Sequence, residues 1–121
     1  MSIVTEWESV EQRAILITFT DWTVEDHYSA IDELMVLLNS SEQSVTIIYD
    51  LRRMQTPPAG MIFHLKTGEV MSHPNFKQFV VIGNEELSRS FVAAQTVVLD
   101  QNIDMSRLIY VHSIEEARRL I

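Results

Sequence analysis

Four dense runs of β-branched and aromatic residues, each followed by apolar residues at helical spacing, constrain this chain more than any other feature. The runs are Ala14–Phe19, Val45–Leu51, Phe79–Gly83 and Leu108–Val111. Alternation of a short strand-like run with a 3.6-residue period predicts an α/β fold. Three of the runs are nearly continuous rather than alternating, as in strands covered on both faces of a mainly parallel sheet. With a further strand at Ile3–Glu8, the pattern predicts a small sandwich: a mainly parallel sheet of four to five strands with about four helices.

The local signals divide the chain into βα units. After the first run, Thr23 and Asp26 form a capping-box-like pair. Val24, Tyr28, Ile31, Met35 and Leu38 then mark a helix of about four turns with one apolar stripe, ended by Asn39-Ser40-Ser41. In the second unit Thr56 precedes Pro57-Pro58, where proline suits a first helical turn. Met61, Ile62, Leu65 and Met71 continue its apolar face until His73-Pro74. In the third, Asn84 is placed to cap a helix carrying Leu87, Phe91, Ala94 and Val98. In the fourth, Ser113 and Glu116 form a second capping box, and Ile114, Ala117 and Leu120 face inward. No linker, repeat or low-complexity stretch interrupts the 121 residues, which predict one domain.

Composition narrows the function classes. A net charge of −8 gives nucleic acid and anionic lipid no electrostatic pull and favours a basic or neutral partner. The absence of cysteine excludes disulfides, thiol catalysis and thiolate metal sites. The N-terminus lacks the basic and apolar regions of a signal peptide, and no apolar run is long enough to span a bilayer, so a cytoplasmic protein is expected.

The strand ending in Asp50-Leu51, with a short loop into a helix, resembles the STAS domain, the fold of bacterial anti-sigma-factor antagonists (SpoIIAA-like proteins). Chain length, element order and the short closing helix match along nearly the whole sequence. The resemblance implies a signalling module that works by protein contact. In signalling members the Asp-Leu is followed by Asp-Ser-Ser-Gly at the helix start, and a serine there is phosphorylated. This chain has Pro57-Pro58-Ala59-Gly60. A phosphoserine adds about −2 charge at a helix start, which Ala59 and Gly60 cannot carry. Thr56 is the one hydroxyl nearby, and a helix cap is its ordinary role. The chain therefore looks like a divergent member without a serine switch. Some of that branch share topology with CRAL-TRIO lipid-binding domains, which brings a small-ligand carrier into view.

Ligands and partners of open α/β sheets meet the C-terminal ends of the strands. Six residues are candidates there: Trp22, Asp50, Arg52, Arg53, Thr56 and Met61. Arg52 and Arg53 offer planar forks for carboxylate or phosphate, though neighbours at a strand end diverge and one is expected to pair with an acid. Trp22 is an aromatic for a crevice or a partner contact, or a cover for the core's end. Met61, with Met54, Met71, Met105, Phe63 and Phe76, suits an adaptable apolar surface or the core.

Chemistry finds less support. His27, His64, His73 and His112 show no metal-ligand spacing, and no metal or other cofactor is expected. No nucleophile elbow or glycine-rich phosphate loop occurs, and Asp50 is the single carboxylate in a catalytic-looking position. Two readings follow: a non-enzymatic interaction module of STAS type, or a carrier or sensor of a small apolar or anionic ligand. A protein partner is expected, no nucleic acid, and a two-fold homodimer as the commonest assembly.

Overall fold

The computed structural model describes residues 3–20, 24–53, 70, 72–83 and 108–121. Five strands form one sheet in sequential order: β1 (Ile3–Trp7), β2 (Ala14–Phe19), β3 (Val45–Asp50), β4 (Phe76–Ile82) and β5 (Leu108–Val111). The sheet is mixed: β1 runs antiparallel to β2, whereas β2, β3, β4 and β5 run parallel. Two helices lie among the described residues, α1 (Val24–Ser40) and α2 (Ile114–Arg118). The helix expected after Asn84 lies outside the described residues, and of the one expected after Thr56 the described Val70 is helical. β4 begins three residues earlier than its apolar run suggests, because Phe76 pairs with Val45 across a register shift.

Alternation along the strands sorts side chains onto two faces. One face carries Ile15, Ile17 and Phe19 of β2, Ile47 and Tyr49 of β3, and Phe79 and Val81 of β4, packed with Ile31, Leu34 and Leu38 of α1. Tyr49 sits at the centre of an aromatic row. Its ring meets Phe19 edge-on at 5.5 Å and Phe79 at 5.0 Å, and Phe79 in turn meets Phe76 at 4.8 Å. The opposite face carries Ala14, Ile48, Val80, Ile82 and Val111 against Ala117 of α2. Every residue of β3 is buried, as a central strand with two covered faces requires.

Polar contacts fix the ends of the elements. The Asn75 side-chain amide donates to the carbonyls of Leu38 (2.9 Å) and Ser41 (2.8 Å), satisfying oxygens that the end of α1 leaves without helical partners. His73 Nδ1 accepts from the Asn75 N–H at 3.0 Å, so its Nε2–H donates to Asn39 Oδ1 at 2.7 Å. At α2, Ser113 Oγ accepts from the Glu116 N–H at 3.1 Å, which is the serine half of the capping box expected from the sequence. The return contact of the Glu116 carboxylate goes to the N–H of His112, one residue before the cap, at 3.5 Å.

Candidate functional site

The C-terminal ends of the parallel strands form one rim. Thr18, Asp50, Ile82 and Val111 lie side by side in register across β2 to β5. The Leu51 N–H donates to Ile82 O (2.9 Å), and the Gly83 N–H to Val111 O (3.3 Å), extending the ladder past the strand ends. Leu51 points into the α1 core, and Asp50, one residue earlier, therefore lies on the α2 face.

Asp50 organises the rim. Its Oδ1 accepts from the Arg52 backbone N–H (3.1 Å) and from Arg52 Nε (2.9 Å), and its Oδ2 accepts from Arg52 Nη2 at 2.8 Å. The backbone bond closes a tight turn over Leu51, and the two side-chain bonds make a bidentate pair. The Asp50 side chain is 8% exposed, whereas that of Arg52 is 45% exposed. Burial pushes the Asp50 carboxyl up. The hydrogen bonds from Arg52 and the charges of Arg52 and Arg53 outweigh it and hold the group below its ordinary value. Arg52 is raised in turn, first by the hydrogen bond to Asp50, against a smaller opposing effect of burial, with the charges of Asp50 and Glu115 adding to the rise.

The two arginines do different things. Arg52 folds back on Asp50, while Arg53 is exposed and makes no ion pair among the described residues. This divergence is the behaviour expected of neighbours at a strand end. Gly83 makes the close approach at the rim. Its φ is +145°, and an added Cβ would lie 3.4 Å from the Leu51 carbonyl carbon and 3.5 Å from Arg52 N. A side chain there would meet the Asp50 turn at ordinary contact distance, so its cost would lie in the strained backbone.

Of the six candidates, Asp50, Arg52 and Arg53 come together on one turn. Trp22, Thr56 and Met61 lie outside the described residues. Glu115 was not visible as a partner of this turn from the sequence. It lies more than sixty residues away, and only the placement of α2 on the Asp50 face brings its charge to bear on Arg52.

Chemically, a carboxylate bonded through both oxygens and held ionised is a poor proton acceptor, and the Asp50–Arg52 pair is close to neutral as a unit. Among the described residues, no group of three or more His, Cys, Asp or Glu is placed to hold a metal ion. No described helix is long and apolar enough to cross a membrane. No protein-family model, no curated protein and no solved structure matches the chain.

Proposed function

We propose that the chain is a regulatory protein-interaction module of the STAS type, acting by contact at the strand C-terminal rim and without a serine phospho-switch. The observation that carries this reading is the Asp50 turn. The carboxylate in the most catalytic-looking position is locked to Arg52 through both oxygens, so it serves the shape of the rim rather than proton transfer. Arg53 beside it is exposed, a cation that a partner's carboxylate would meet. Sequential strand order and the short α2 that follows β5 support the same reading. So does Pro57-Pro58-Ala59-Gly60, which offers no serine where signalling members carry one.

The test is crosslinking and affinity capture from an extract, with the wild-type chain beside Arg53→Glu. A defined protein retained by the wild type and lost from a variant of unchanged melting temperature supports the proposal. Equal retention by both, or none by either, rejects it.

The same exposed cation supports a second reading, a carrier or sensor of an anionic or apolar small molecule. A thermal-shift screen with fatty acids, phospholipids and phosphorylated metabolites separates the two. A ligand at 100 times its dissociation constant adds about 2.7 kcal/mol of stability. No shift with any of these compounds removes the carrier reading.

A further inference from the structure

β1 is an outer strand of the sheet, and its far side pairs with no described strand. Which backbone groups face outward follows from one bond. The Glu8 N–H donates to Ala14 O at 2.9 Å, continuing the β1–β2 register. In an antiparallel ladder the residues that exchange such bonds alternate, so Val4, Glu6 and Glu8 bond to β2. The N–H and C=O groups of Ile3, Thr5 and Trp7 point to the open edge.

Natural edges are usually blunted by lysine, proline or a bulge. The sequence Ile3-Val4-Thr5-Glu6-Trp7 has neither residue, and its register with β2 runs unbroken. The Thr5 hydroxyl oxygen, on the α1 side of this strand, is shielded from water and has no hydrogen-bond partner among the described residues.

Acidic groups flank the same edge on both faces. On the α1 side a crevice of about 70 Å³ is lined by Ile3 of β1 and by Asp26, Ser29, Ala30 and Glu33 of α1. That volume suits one ammonium group or about two waters. On the other side Val4 and Glu6 are exposed. α1 itself carries Glu25, Asp26, Asp32 and Glu33 and no lysine or arginine.

We infer that the β1 edge is a docking site for an extended, basic segment of a partner protein, added as a sixth strand with a lysine or arginine seated between Asp26 and Glu33. Main-chain bonds to Ile3, Thr5 and Trp7 supply the affinity, and the acidic crevice selects the side chain. A second copy of this chain is the wrong occupant. Antiparallel pairing of β1 with itself sets both α1 helices on one side of the extended sheet, with their acidic residues facing each other across the seam. The inference goes beyond the rim reading and does not rest on it.

The probe is an eight-residue peptide of alternating lysine and valine, compared with its glutamate-for-lysine counterpart and with a version N-methylated at every second residue. Affinity is measured by fluorescence anisotropy, and strand addition by amide hydrogen exchange. The lysine peptide is expected to bind and to slow exchange at Ile3, Thr5 and Trp7 by at least about tenfold, leaving the already bonded Val4 and Glu6 amides unchanged. The glutamate and N-methylated peptides are expected to do neither. Glu33→Lys, an exposed change, should weaken the lysine peptide about fivefold or more. Thr5→Pro deletes an outward N–H without taking a β1–β2 bond and should abolish the exchange effect. The inference is overturned if the lysine peptide leaves those three amides unprotected at about 1 mM. Equal protection by the glutamate or the N-methylated peptide overturns it as well.

Discussion

The two faces of the sheet are held by different physics. Under α1 the contact is apolar and aromatic, with Tyr49 between Phe19 and Phe79 and no charged residue in the layer. Among the described residues the apolar contact under α2 is smaller and is stitched by polar groups. Gln78 Nε2 donates to Thr46 Oγ1 (3.2 Å) and to Leu120 O (2.9 Å), Arg118 pairs with Glu8, and Arg52 pairs with Asp50. Among the described residues the difference suggests a division of labour to be tested: the first face is expected to supply more of the stability, and the second to fix the position of α2 and the rim. Phe79→Ala should break that contrast most severely, since it opens a cavity within the aromatic row, between Tyr49 and Phe76. A loss of about 4 kcal/mol is expected in denaturant unfolding. A loss no larger than that of the polar substitutions below would mean that the α1 face is not the main source of stability.

Arg52→Ala sharpens the comparison from the other side, because it leaves a nearly buried carboxylate without its bidentate partner. Breaking a fully buried pair costs about 3–5 kcal/mol, and the half-exposed guanidinium scales this down to about 1.5 kcal/mol. The pH dependence has a fixed sign. Asp50 is held below its ordinary value in the folded chain, so at low pH the unfolded chain takes up the proton first. The stability the pair contributes is complete above the unfolded value near 4 and is lost as pH falls through the lower, folded value. Unfolding at pH 7, 5 and 3 should therefore show the difference between wild type and Arg52→Ala shrinking only in the most acidic sample. Asp50→Asn should flatten the wild-type acid limb.

Next in size comes the α2 cap. Ser113→Ala removes the acceptor for the Glu116 N–H and should cost about 1 kcal/mol. Thermal unfolding, with amide exchange at Glu116 as the local readout, checks it.

Legibility from the sequence followed the same division. The strand runs at Ala14 and Val45 were plain because a buried central strand must be apolar on both sides, and β3 is buried at every position. The Ser113–Glu116 cap was plain because both partners lie within one turn. The start of β4 was hidden: Lys77 and Gln78 interrupt the apolar run, although Phe76 already packs in the core and Gln78 already bonds to Thr46. Arg52 and Arg53 were found as a pair, and their divergence followed from strand-end geometry. Glu115 near Arg52 and the acidic crevice under β1 were not found, because both join residues far apart in sequence. An edge strand announces itself only when the sheet order is known.

The smallest effect tests whether the polar stitching positions or stabilises. Arg118 Nε donates to Glu8 Oε1 at 2.7 Å, joining α2 to the residue that follows β1. The Glu8 carboxylate is 11% exposed and the Arg118 side chain 56% exposed, so the pair is screened on one side only. So buried a carboxylate would count for more than an exposed one, but this pair has one side-chain bond where Asp50–Arg52 has two, and about 0.5 kcal/mol is expected. Arg118→Ala should therefore barely move the unfolding midpoint, while speeding amide exchange in α2 because one of its polar ties to the sheet among the described residues is gone. The Gln78 bond to Leu120 O, just past the helix, remains. If the midpoint falls as far as in Phe79→Ala, α2 is part of the stabilising core and the asymmetry between the faces is refuted. If α2 exchange does not change at all, the ion pair has no positioning role, and Gln78 with the apolar contact at Ala117 holds the helix alone.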